Sequence, residues 1–272
     1  MSSVLPGLSK WLLVVGLSSI FTATLSTSFA GSLKDQSISC GAVNKGKLLR
    51  ASELPRVGKG YLIPSPWYRR GRRFGTDSLV ELIHKSAEFV NTKLPGGTLA
   101  VADISKKDGG AIGLHKSHQS GRDVDLIFYA LDDEGRPFKP DSHMAYYGDL
   151  GEGITSKAPL RRSEIKRRFF DLARNWQLIS YFASQDKTLV THVFVSKRVK
   201  NWLLQYASHI GEPKALIKKV RHLLKKDRKG LHNDHFHVRI GCGPEKSGTQ
   251  RCFNNRTNVS NEILKSCTEH TL

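Results

Sequence analysis

Hydrophobic positions along the chain follow two periods. Leu79, Leu82, Ile83 and Val90 recur at helical spacing, which predicts a helix capped by Thr76 or Asp77 and running to about Asn91. Pro95-Gly96-Gly97 breaks it, and residues 98–104 then read as a strand. Strict alternation marks 123–129, where Val124, Leu126 and Phe128 share an apolar face and Asp123, Asp125 and Ile127 share the other. It recurs at 235–240, with Phe236, Val238 and Ile240 opposite His235, His237 and Arg239. Residues 190–196 predict a further strand. Basic helices are predicted over 160–177, 197–209 and 214–226, the last with Leu216, Ile217, Val220, Leu223 and Leu224 on its apolar side. Residues 31–75, rich in Gly, Pro, Lys and Arg, predict an irregular basic arm; 131–159 and the tail after Gly241 read as loops. No linker composition intervenes, so 31–272 reads as a single α+β domain with extensions.

The first thirty residues stand apart. Lys10 is their only charge, an apolar, hydroxyl-rich run follows it, and Ser28-Phe29-Ala30 presents small residues where a signal peptidase reads. Residues 1–30 are therefore expected to be a secretory signal, cleaved after Ala30, because the run is short for a roughly 30 Å hydrocarbon core. No stable membrane insertion is expected after cleavage, since no later segment is long and apolar enough to span.

Charge narrows the partners. Lys and Arg number 43 against 24 Asp and Glu, a formal charge of +19 that becomes +18 without Lys10. Such a field attracts polyanions, and export directs the expectation to acidic wall material and away from nucleic acid. The four cysteines, Cys40, Cys242, Cys252 and Cys267, form no C-x-x-C pair. An even count in an exported chain points to two disulfides and not to a cysteine zinc site.

Candidate chemistry lies in two stretches. The first is His118-Gln119-Ser120-Gly121-Arg122-Asp123-Val124-Asp125, in which Gly121 lets the chain fold back and bring His118 toward Asp125. The second is His235-Phe236-His237-Val238-Arg239. If the two strands are neighbours, Asp125 and His237 converge on one polar face. His118, Asp125 and His237 then offer three N/O ligands to a Zn2+ ion and leave a fourth position for water, the pattern of a catalytic zinc. His235 stands beside them as a general base, or alternatively as a fourth ligand closing a structural site. His115 and His232 lie near the same centre, where they orient substrate, stabilise an oxyanion or make ordinary loop hydrogen bonds.

Together these stretches, with Tyr68-Arg69-Arg70-Gly71-Arg72-Arg73-Phe74-Gly75, resemble the penicillin-insensitive murein endopeptidases of the lysostaphin, D-alanyl-D-alanine and hedgehog-type zinc peptidase group, from about Tyr61 to Cys242. The resemblance implies a small antiparallel sheet carrying zinc on one face and flanked by helices and long loops. It implies hydrolysis of the D-alanyl–meso-diaminopimelyl cross-link of peptidoglycan in the periplasm. It matches His118, Asp125 and His237 to the family's ligands and His235 to its catalytic histidine. His115 matches a histidine that joins a second metal site in some members, for which 131–159 offers no clear partners. The pairing Cys242–Cys252 and Cys40–Cys267 rests partly on the resemblance and partly on Gly243, Pro244 and Gly248, which can turn the chain between the first pair. The competing readings are a D,D-carboxypeptidase of the same group, a non-catalytic wall-binding protein, and a secreted nuclease, for which no motif is present.

Overall fold

The segment predicted to be an irregular arm is threaded with short strands. In the computed structural model, which describes residues 37–148, 151–155, 167–185, 189–226, 232–242, 252–254 and 259–269, β1 (Ile38–Ala42) and β2 (Lys45–Leu49) form a hairpin. Then follow β3 (Ser52–Glu53), β4 (Val57–Gly58), β5 (Tyr61–Leu62), the helical turn α1 (Ser65–Tyr68) and β6 (Phe74–Gly75), which pairs with β3. Two-residue strands are too short for alternation to declare them, which is why they read as irregular. The expected signal at 1–30 lies outside the described residues.

Helix α2 (Asp77–Lys93) begins where predicted. Thr76 is the cap, its Oγ1 accepting from Leu79 N at 3.3 Å. After it come β7 (Leu99–Val101), β8 (Asp123–Ile127), β9 (Ala130–Leu131), β10 (Ala145–Tyr147), β11 (Glu152–Thr155) and β12 (Arg168–Phe170). Strands β9 to β12 build a four-stranded sheet in the order β10-β11-β12-β9, where loop had been expected. The helix predicted over 160–177 is displaced for the same reason: Phe169 and Phe170 pair with β9, and α3 (Leu172–Ser184) starts only after Asp171 accepts from Arg174 N at 2.9 Å. Residues 156–166 lie outside the described residues.

The remainder is β13 (Val190–Val195), α4 (Lys197–His209), α5 (Lys214–Leu223), β14 (Leu224–Lys226), β15 (His235–Ile240) and α6 (Asn261–Glu269). The predicted 214–226 helix stops at Leu223, since Leu224 is extended and pairs in parallel with Val193. An apolar residue satisfies either period, so the sequence pattern could not place that switch.

The main sheet is larger than the small antiparallel one expected. It has seven strands in the order β14-β13-β15-β8-β7-β5-β4, antiparallel at its centre and parallel at β14–β13 and β5–β7. Helices α2, α3, α4 and α5 pack with its apolar face, where Val124, Leu126, Phe236 and Val238 meet Ile83, Trp176, Leu203 and Val220 in one core. Truncating one of these, such as the fully buried Phe236, to alanine would cost about 3–5 kcal/mol. The opposite face is left to polar side chains. None of the described helices is long and apolar enough to cross a membrane.

Both ends of the domain are tied down. Cys40–Cys267 joins β1 to α6, and Cys242–Cys252 closes a short loop after β15, as expected from the sequence. Arg122, 1 % exposed, donates to Ser39 Oγ (2.9 Å), Phe253 O (2.9 Å) and Ile240 O (3.4 Å), linking three segments from inside.

Candidate metal centre

Strands β8 and β15 are antiparallel neighbours, with Asp125 directly opposite His237, Asp123 opposite Arg239, and Ile127 opposite His235. On β13, Phe194 pairs with His237, so the row continues across the sheet. The alternation that buries Val124, Leu126, Phe236 and Val238 therefore obliges the two carboxylates and two histidines to share the other face.

His118 arrives from the 109–121 loop. Gly121 turns that loop at φ +70°, and a Cβ there would meet the Leu48 side chain at 2.7 Å. His118 itself has φ +66°, rare for a residue with a side chain. Its amide donates to Asp123 Oδ2 at 3.1 Å, and its Nδ1 donates to the Ile104 carbonyl at 2.7 Å. Since a carbonyl only accepts, Nδ1 carries the proton and Nε2 presents its lone pair to the centre.

Three donor atoms meet there. His118 Nε2 is 3.2 Å from His237 Nδ1 and 3.3 Å from Asp125 Oδ1, and His237 Nδ1 is 3.0 Å from Asp125 Oδ1. Asp125 Oδ1 is buried, yet it accepts no well-directed hydrogen bond. The three atoms thus crowd a common point, where His118 Nε2 and His237 Nδ1 are close enough to share one hydrogen bond and Asp125 Oδ1 is left over. Ligand bonds of about 2.1 Å in a tetrahedron set donors about 3.4 Å apart, so zinc suits the donor set in both chemistry and spacing.

The electrostatics agree. Burial alone would raise the Asp125 carboxyl, but the imidazoles of His118 and His235 outweigh it and hold it well below the ordinary carboxylate range. Burial disfavours the His237 imidazolium, yet Asp123 and Asp125 push its value up to about 9. The two carboxylates thus favour positive charge at this point, and a cation bound there would have to displace the His237 proton.

His235 stands at the rim of this cluster. Its Nε2 is 3.5 Å from Asp125 Oδ1, and its Nδ1 is 2.6 Å from Asp234 Oδ1. Burial opposes its protonation, but Asp125 and Asp234 prevail and raise it above the ordinary histidine value. His115 lies on the other side, with Nδ1 3.5 Å from Asp125 Oδ2 and Nε2 3.0 Å from Asp103 Oδ2. Donors of His115, His118 and Asp125 fall within 4.8 Å of one another, a looser triad than the one containing His237. His232 packs its ring 5.2 Å from His235 and 5.3 Å from His237. All six histidine and aspartate candidates from the sequence are therefore brought to one face.

Sequence reasoning missed the groups that hold them. Asp103 accepts from Arg70 at 2.8 Å and Arg72 at 3.2 Å as well as facing His115, which gives two arginines of the Tyr68–Gly75 stretch a place behind the site. Burial would raise the Asp103 carboxyl, but His115, Arg70 and Arg72 lower it. Asp123, fully buried, takes a two-pronged grip from Arg239 at 2.7 and 3.1 Å. Asp234 was visible beside His235, but adjacency in sequence does not reveal which carboxylate a ring nitrogen will choose.

A family model described as penicillin-insensitive murein endopeptidase matches residues 39–268. Proteins named penicillin-insensitive murein endopeptidase from Klebsiella pneumoniae subsp. pneumoniae, Haemophilus influenzae and Escherichia coli O157:H7 are 30, 27 and 31 % identical to this chain, each over 209 residues. These matches cover 75, 76 and 75 % of this chain and 66, 64 and 66 % of the relatives, so the chain spans just under two thirds of the length of those relatives. With the match running from β1 through most of α6 and enclosing the whole centre, the chain belongs to the penicillin-insensitive murein endopeptidase family.

Proposed function

We propose that this protein is a zinc-dependent endopeptidase that cuts D-alanyl–meso-diaminopimelyl cross-links of peptidoglycan, exported to the periplasm by residues 1–30. The observation that carries the reading is the convergence of His118, Asp125 and His237 donors to 3.0–3.3 Å, beside a His235–Asp234 pair. In this reading the first three hold the zinc, which when bound polarises a carbonyl and makes a water acidic. Asp234 accepts the Nδ1 proton of His235 and keeps Nε2 turned toward the centre. From there His235 takes a proton from the attacking water and returns one to the departing amine. His115, anchored by Asp103, and His232 line the approach and orient substrate.

The test is digestion of purified cross-linked muropeptide dimers by the mature protein, with products read by mass. Monomers ending in D-alanine are expected; chelation should stop their release and zinc should restore it. Release of free D-alanine alone would establish the carboxypeptidase reading instead. Binding to sacculi without any cleavage would establish the wall-binding one.

A further inference from the structure

Where the polar face of the main sheet approaches the four-stranded sheet, a cleft opens that the reaction above does not use. Its lining includes Ala100, Ile127, Phe138 and Tyr147. Ile127 is two residues along β8 from Asp125 and on the same face, so the cleft begins roughly 7 Å from the donor cluster. An extended peptide seated at the cluster would lay a neighbouring side chain into it.

Two charged residues also line this cleft, Arg168 and Asp141. Arg168 is 5 % exposed. Its Nη2 donates to Asp141 Oδ2 at 2.8 Å, its Nη1 to His143 O at 3.3 Å, and its guanidinium lies 4.2 Å from the Phe138 ring centroid. Its Nε is buried and has no hydrogen-bond partner among the described residues. A buried cationic donor without an acceptor is an unfavourable arrangement that a ligand oxygen would relieve. Asp141 is held from behind by the His143 amide at 2.9 Å, while about a third of its side chain faces solvent. A fixed cation with a spare donor thus stands beside a half-open carboxylate, in a wall that also carries aromatic and aliphatic side chains with Thr98 and His143. Ion pairs of this kind add little net stability over apolar packing. Tyr147 also lines the cleft. Burial raises its phenol, and the charges of Arg168, Asp141 and Asp234 all reach it.

We infer that this cleft is a subsite for a zwitterionic amino-acid group of the substrate, with Arg168 taking the carboxylate and Asp141 the ammonium. The inference rests on the endopeptidase reading and specifies which part of the cross-link is recognised. On the donor strand, diaminopimelate carries a free ammonium and a free carboxylate on one carbon, next to the D-alanine whose carbonyl is attacked. The acceptor diaminopimelate has committed that amine to the cross-link and keeps only the carboxylate. The cleft therefore selects the donor side.

The experiment compares three dimers with the unaltered mature protein: the natural one, one with that donor carboxylate amidated, and one with that donor ammonium acetylated. Each modification should lower kcat/KM about tenfold or more, chiefly through KM, the loss expected for one charge-assisted hydrogen bond. Asp141→Asn, with its zinc retained, should cleave the natural and acetylated dimers alike while still penalising the amidated one. Equal cleavage of all three dimers by the unaltered protein would overturn the subsite and leave the endopeptidase reading intact. Failure to cleave even the natural dimer would overturn both.

Discussion

His235 and His237 sit two residues apart on one strand face, yet their surroundings assign them different work. His237 Nδ1 is within 3.2 Å of both other donors, whereas His235 Nε2 comes no closer than 3.5 Å to Asp125 and spends Nδ1 on Asp234. His235→Ala should therefore retain zinc while losing roughly 10²–10⁴-fold in turnover. His237→Ala should lose metal and activity together, because only two protein ligands remain. Asp234→Asn should keep zinc and KM but lower kcat by on the order of tenfold, since the ring loses the acceptor that orients it. Metal content measured beside dimer cleavage for each variant separates these outcomes; loss of zinc from His235→Ala would make it a ligand.

At the scale of elements, β8 and β15 are each both core strand and site strand, and their shared register aligns the donors. A slip by one residue would turn every ligand into the core. The strands are steadied by anchors farther out, of which the start of α2 is one. The Asp77 carboxylate accepts from Ser37 N at 2.7 Å, from Ser37 Oγ at 2.8 Å and from Ser52 Oγ, while Ser37 Oγ accepts from Asp77 N at 2.7 Å. Partial burial would raise this carboxyl, but the bonds from Ser52 and Ser37 outweigh it and lower it below 3.8. A depressed folded value means that the stabilisation is present above the unfolded pKa and is lost as pH falls through the folded one. Asp77→Asn should thus lower the urea midpoint at pH 7, and its deficit should shrink as pH drops through 3.8 and below. A deficit unchanged between pH 7 and pH 3 would show that the carboxylate's charge is not its source.

Across the whole molecule, the polar site and the basic surface of α5 lie on opposite sides of the main sheet. Between 197 and 226 there are nine Lys and Arg and one acid, Glu212, which accepts from Trp176 Nε1 at 2.6 Å. Lys214, Lys218, Lys219 and Arg221 are exposed on α5, which packs on the helical side. Binding to intact sacculi should weaken as salt rises, because exposed charges are screened over about 8 Å at physiological ionic strength. Reversing Lys218, Lys219 and Arg221 to glutamate together should weaken sacculus binding and leave cleavage of soluble dimers unchanged. Binding insensitive to salt and to these changes would place wall attachment elsewhere.

The sequence by itself determined the two strands with one apolar and one polar face, the start and course of α2, the bounds of α4, and the set of histidines and aspartates worth watching. Each of these depends on short-range periodicity or on the chemistry of a few adjacent residues, which a linear reading samples directly. Only the tertiary structure decided that β8 lies beside β15 with Asp125 opposite His237, and that the His118 carbonyl partner is Ile104. Only it showed that Asp103, Asp123 and Asp234 each hold a different histidine or its loop in place. The strands of 37–75 and 130–170 also belong to it, being two to five residues long and stabilised by partners distant in sequence. Strand pairing and ion-pair choice depend on which segments come within a few ångströms of each other, and that is a property of the folded chain.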